Sequence, residues 1–276
     1  MADTVSRRRP PSMLRQYRVL LRLGIASATQ YRLDFVLTAF GAVCYEAVSL
    51  AFVGVVVSAF GTIGGWTFTE IAFIYGIRTM GHALHSAVTG QLWATDHVIR
   101  DGEFDRYLLR PVDPLVQLLT RRFQVTAVGD IAFGVAVVII TALTAPIDWS
   151  PWKIGYLVAA VLGSAFAESA VMLGIAGLSF RLLSVNPLLS AADMMFVTFG
   201  PYPLSVLPRA VAWILTLVIP LAFTAYFPAA ILLGRTDDLY VPIWLAVASP
   251  LVGLLLWLGS IRFFHHQIRH YASPGH

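Results

Sequence analysis

FVLTAFGAVCYEAVSLAFVGVVVSAF, residues 35–60, is the stretch whose reading decides the fold. Its one charge is Glu46, and a helix needs about 20 mostly apolar residues to cross ~30 Å of hydrocarbon. Working outward, Ile154–Phe180 carries only Glu168, while Ala210–Gly234 and Leu239–Ile261 carry no charge. Ile71–Trp93 holds Arg78, His82 and His85, Phe123–Ala145 holds Asp130, and Leu182–Gly200 holds Asp193. The whole chain agrees: 58% of its 276 residues are hydrophobic and 12% charged, against roughly 25% charged in a soluble domain. So few charges cannot clothe a water-facing surface, and the net charge of +4 is too scattered for a nucleic-acid footprint. The single cysteine, Cys44, excludes a disulfide framework or a cysteine-rich metal site within one chain.

The expected fold is an all-α membrane protein of six transmembrane helices, with spans near 35–60, 70–93, 123–145, 153–181, 187–206 and 239–262. Orientation follows from arginine placement. With the N-terminus in the cytoplasm, fifteen of the nineteen basic residues fall inside: Arg7–Arg9, Arg15, Arg18, Arg22 and Arg32, the 100–122 group, then Arg181, Arg262 and Arg269. Lys153, Arg209 and Arg235 fall outside. Seven spans would put the basic tail outside, so segment 208–234 is read as re-entrant on the outer side, broken at Pro208, Pro220 and Pro228. Both termini are then cytoplasmic.

Residues 1–34 are read as a cytoplasmic N-terminus with an interfacial amphipathic helix, residues 35–264 as the membrane domain, and residues 265–276 as a cytoplasmic tail. In Met13–Arg32, Leu14, Tyr17, Leu21 and Ile25 recur at helical spacing, while Arg15, Arg18 and Arg22 occupy another face. That pattern suits a helix lying on lipid headgroups. Arg7–Arg9 precede an apolar run too long for a cleavable signal core.

The loop at 96–120 carries the densest charge, as VIRDGEFDRYLLRPVDPL over Val98–Leu115. Gly102 can end one helix, Asp101 or Asp105 can cap the next, and Pro111 stops it. Phe104, Tyr107 and Leu108 then form an apolar stripe among Glu103, Asp105, Arg106 and Arg110, suited to dock in a groove of a soluble partner. A solvated loop that merely satisfies the positive-inside bias fits equally well.

Gly102–Pro111 resembles the cytoplasmic coupling segment in permease subunits of bacterial ABC exporters, a family with six spans and an interfacial N-terminal helix. The chain is most similar to the branch of uncharacterised ABC transport permeases related to drug, antibiotic and viologen export. Gln30-Tyr31-Arg32, Tyr202–Pro208 and Arg269–Ser273 agree with that branch, while the histidine-rich tail of His265, His266, His270 and His276 departs from it. The resemblance implies a transport subunit in the bacterial cytoplasmic membrane, not itself an enzyme. Its partners would be an ABC ATPase dimer carrying ATP and Mg, a second permease, like or unlike, and membrane lipids, with no nucleic acid. No Gly-rich loop ending in Lys-Ser/Thr occurs in the chain, in keeping with ATP chemistry on another polypeptide. Arg100, Asp101, Gly102, Glu103, Phe104, Asp105, Arg106, Tyr107 and Arg110 are the residues expected to transmit the ATPase stroke.

Ionisable groups in spans are costly and should face protein or water. At ~1.5 Å per residue Glu46 and Arg78 reach matching depths on neighbouring antiparallel spans, so an ion pair between them is expected. His82 and His85 share a face at the level of Asp130 and Glu168; two histidines without an assured third ligand are read as interhelical hydrogen bonding, and no metal site is assigned. Phe196, Phe199, Tyr202 and Trp213 flank the proline-rich break, where they would line an exit for an apolar substrate or simply pack. The expected cargo is a hydrophobic, amphipathic or cationic compound. An ion- or proton-coupled secondary transporter built on the intramembrane charges is the alternative, and a lipid-modifying enzyme a third reading that lacks a convergent polar site.

Overall fold

The computed structural model of the chain describes residues 13–182 and 184–271. The predicted basic cluster Arg7–Arg9, Ser273 and His276 lie outside these residues, as do the side chains of Leu14 and Arg15. Thirteen α-helices run through the described residues in the order α1 (Met13–Ala28), α2 (Arg32–Phe60), α3 (Phe68–Thr89), α4 (Thr95–Arg100), α5 (Glu103–Leu109), α6 (Pro114–Leu119), α7 (Thr126–Thr144), α8 (Pro151–Gly177), α9 (Asn186–Phe199), α10 (Arg209–Leu217), α11 (Tyr226–Leu233), α12 (Ile243–Val247) and α13 (Ser249–Ile268). The one β feature among them is an isolated bridge between Ile63 and Trp66. The all-helical expectation therefore holds.

Three helices are long and apolar enough to cross a membrane: Arg32–Phe60, Thr126–Thr144 and Pro151–Phe180. The other predicted spans look different for physical reasons. α3 has the length but carries Glu70, Arg78, His82 and His85. α9 has 14 residues, or ~21 Å, too little to cross ~30 Å by itself. The last apolar run is divided, with α12 ending at Val247 and α13 running from Ser249 through Arg262 to Ile268.

α3 is the buried centre, packed against α7 and α8, with α13 on the far side of α8 and α2 on the far side of α7. Residues Ile71 to Thr79 of α3 are all buried, whereas α2 buries only Glu46, Val53 and Val57. Close crossings are made by small residues, since helices in lipid associate through packing. Where α8 meets α13, a Cβ on Gly253 would strike the Gly163 carbonyl.

Beyond α9 the chain breaks as its prolines require, through Gly200, a 3-10 turn at Leu204–Val206, α10, a second 3-10 turn at Leu221–Phe223 and α11. Irregular backbone in an apolar setting needs cover. Leu221, Tyr226 and Phe227 supply it, all at most 1% exposed. Arg235 ties this end together, with Nε and Nη2 donating to Glu70 at 2.8 Å and its guanidinium lying over Trp66.

Candidate functional site

At the opposite end, α4, α5 and α6 form a compact cluster, with α5 in the place of the one short helix expected between Gly102 and Pro111. Gly102 takes φ +69°, a left-handed turn that costs glycine little, and α5 starts at the next residue. α5 opens at Gly102 without a side-chain cap, so neither Asp101 nor Asp105 caps it; Asp113 caps the next helix, its Oδ1 accepting from the Leu115 and Val116 amides at 2.9 and 3.2 Å to open α6. Gln117 Nε2 donates to the Tyr107 and Val112 carbonyls at 2.9 Å each, holding α5 against α6.

The predicted apolar stripe does not face outward as a unit. Phe104 is fully buried in the protein's own core, its ring 5.0 Å from Phe180 and 5.0 Å from Tyr271. Phe180 in turn meets Phe264 edge-on at 5.4 Å. α5 is thus keyed by one aromatic side chain to the end of α8 and the end of α13. Tyr107 is half-buried beside Phe104, while Leu108 and Leu109 are 47% and 86% exposed, flanked by exposed Arg106 and Arg110. Glu103 pairs with Arg121 at 3.0 Å, Asp105 is partly buried, and Arg100 and Asp101 are exposed.

Two further contacts at this end were not legible as site residues. Asp96, 2% exposed on α4, accepts through Oδ2 from the Ser184 hydroxyl at 2.6 Å and from the Val185 and Asn186 amides at 2.9 and 3.1 Å. Burial alone would raise its pKa, but these donors hold the carboxyl below its ordinary value. Asp113 Oδ2 also faces His265 Nε2 at 2.9 Å, and His265 Nδ1 donates to the Ile261 carbonyl at 2.8 Å. A carbonyl and a carboxylate both accept, so this geometry suits the imidazolium with both nitrogens protonated. The Asp113 bond lifts His265 above the ordinary histidine value.

A second polar constellation lies among the long helices. The expected Glu46–Arg78 ion pair does not form. Glu46 on α2 instead accepts from the Tyr75 hydroxyl and from Thr79 Oγ1. Arg78 Nη2 lies 3.7 Å from Glu168 Oε1 on α8, and His82 Nδ1 lies 2.7 Å from the same oxygen. Glu46 and Arg78 stand at matching depth but on different faces. Tyr75 and Thr79, four apart on α3, look toward α2; Arg78 and His82, also four apart, look toward α8.

His85 joins neither group, because its Nδ1 is held by Ser169 at 2.9 Å and Thr89 at 2.6 Å. Asp130 is buried on α7. Asp193 on α9 completes a trio in which single ligand atoms of His82, Glu168 and Asp193 lie within 4.8 Å of one another. The Arg78 guanidinium at Glu168 opposes a metal cation there. Among the aromatic residues at the break, Phe196 is fully buried, Phe199 is partly buried against the core, and Trp213 packs edge-on against Tyr240 at 5.5 Å. Tyr202 lines a cavity of about 530 Å³, shared with Glu46, Tyr75, Arg78, Thr79 and His82.

Comparison with known proteins finds no match among curated proteins and none among solved structures. The profile of the family described as ABC-2 family transporter protein matches residues 43–275, taking in the long helices, the α4–α6 cluster and the aromatic contact to Tyr271. The chain belongs to the ABC-2 family of transporter proteins.

Proposed function

We propose that the chain is the membrane subunit of an ATP-driven ABC exporter, and that α5 is the helix through which a separate ATPase drives it. The observation that carries this reading is the two-sided character of α5. Its inner side is locked by Phe104 to the ends of α8 and α13, and its outer side offers Leu108, Leu109, Arg106 and Arg110, all exposed among the described residues. An element pinned to two long helices and open on its other face is built to pass a push from a docked partner into the bundle. Asp96 and His265 extend the same linkage to α9 and α13.

On this reading the α4–α6 end is cytoplasmic in a bacterial inner membrane, six segments cross, and the Arg209–Leu233 region returns on the outer side. ATP and Mg bind the partner ATPase. The exposed apolar face of α2, with Phe40, Val48, Phe52 and Val55 each at least 62% exposed, supports cover by lipid or by a second permease. The buried polar groups on α2, α3 and α8, with half-buried Asp193 on α9, line or support the path of the transported compound.

Reconstitution tests the reading. Vesicles holding this chain with its ABC ATPase partner should move cargo when ATP is supplied, and vesicles holding the chain alone should not. Cargo movement by the chain alone under a proton gradient would overturn the proposal in favour of a secondary transporter using His82 and Glu168.

A further inference from the structure

The cavity between α2, α3 and the break after α9 has two charged walls that do not neutralise each other. On one side Glu46, 6% exposed, uses Oε2 to accept from Tyr75 and Thr79, and its Oε1 has no hydrogen-bond partner among the described residues. On the other side Arg78 is 5% exposed, and its Nε and Nη2 are buried without an acceptor. Its nearest anion, Glu168, stands at 3.7 Å and already takes the His82 bond through the same oxygen. A buried donor without an acceptor costs ~1–3 kcal/mol, and more when charged.

Both groups line one space of about 530 Å³, within the range of small-molecule sites. Pro201 and Tyr202 line it at the break, and a Cβ on the neighbouring Gly200 would crowd the Arg78 side chain. On the α2 side Tyr45 and Phe52 line the cavity and are 61% and 63% exposed on the apolar flank. The space therefore offers an anion receptor, a cation receptor and an apolar mouth.

We infer that this cavity binds a zwitterionic amphipath, with a carboxylate or phosphate on Arg78, an ammonium on Glu46, and the apolar body leaving past Tyr45 and Phe52. A ligand bearing only positive charge would leave Arg78 without an acceptor and set two cations together. One bearing only negative charge would meet Glu46. The inference rests on the permease reading only in naming this ligand as cargo; binding itself needs no ATPase.

The test is equilibrium binding to the purified chain in maltoside micelles. Two zwitterions serve as radiolabelled probes, lysophosphatidylethanolamine and N-dodecyl-β-alanine, with dodecyl phosphate and dodecylamine as single-charge controls. At least one zwitterion should bind saturably and more tightly than both controls; whichever zwitterion binds better tells a phosphate headgroup from a carboxylate. Arg78→Gln and Glu46→Gln should each weaken zwitterion binding about tenfold or more. Arg78→Gln should shift preference toward dodecylamine, and Glu46→Gln toward dodecyl phosphate. Val197→Trp fills the same cavity from a 40% exposed position without removing a charge, so it should abolish binding even where the charge variants do not fold. A single-charge amphipath that matches the zwitterions, unchanged binding in Val197→Trp, or no saturable binding of either zwitterion would overturn the assignment. Co-purification of an ATPase in any of those cases would leave the permease reading standing.

Discussion

Asp96 shows what one buried carboxylate does for this chain. It caps the start of α9 from a helix some 90 positions earlier, accepting three hydrogen bonds through one oxygen. Losing a helix cap costs ~1 kcal/mol, and leaving buried donors unmet raises the cost toward ~3 kcal/mol. Asp96→Ala should therefore lower the melting temperature of the purified protein clearly more than Asp101→Ala, whose side chain is exposed. Because the folded Asp96 pKa is lowered, its contribution is present above the ordinary carboxylate value and fades as pH falls through the folded value. The His265–Asp113 contact has the opposite sign. His265 is raised, so its contribution is complete below the ordinary histidine value and is lost as pH rises through the raised one. Melting temperatures of wild type and His265→Gln should converge on going from pH 6 to pH 9, and a constant gap would contradict the linkage.

At the scale of elements, the crossing of α8 and α13 depends on two backbones meeting at Gly163 and Gly253. Gly253→Leu should destabilise the protein by ~1–3 kcal/mol through overpacking, whereas Gly259→Leu, with nothing within 4 Å of its would-be Cβ, should be tolerated. Folded yield and melting temperature in detergent distinguish the two. Such crossings were not legible beforehand, because apolar runs disclose length and composition but not which neighbour a helix chooses. The runs did locate α2, α7 and α8, and the prolines located the breaks between α9 and α11. Gly102 and Pro111 bracketed α5 within a residue or two, since turn and stop signals act locally. The burial of Phe104 was not legible. An apolar stripe states that one face wants cover, and only the placement of Phe180, Phe264 and Tyr271 shows that this chain provides it. The Glu46–Arg78 expectation failed for the same reason, since depth is one coordinate along a helix and pairing needs the face as well.

For the whole molecule, charge is segregated by role. The α4–α6 end gathers Arg100, Arg106, Arg110, Arg121 and Arg122 on its surface, while Glu46, Arg78, His85, Asp130 and Glu168 in the long helices are buried. The proposed account joins these regions mechanically: a partner presses on the outer face of α5, Phe104 carries the displacement to α8 and α13, and Asp96 carries it to α9. Docking and transmission are then separable, because they use opposite faces of one short helix. The most direct measurement is co-purification with the proposed ABC ATPase partner, together with hydrolysis by the resulting complex, for wild type, Leu108→Asp and Phe104→Ala. The account predicts that Leu108→Asp folds but no longer retains the ATPase, while Phe104→Ala retains it and loses cargo-stimulated hydrolysis by about tenfold or more, the factor expected if ~1.4 kcal/mol of coupling is removed. Retention of the ATPase by Leu108→Asp with unchanged stimulation, or full stimulation in Phe104→Ala, would contradict it.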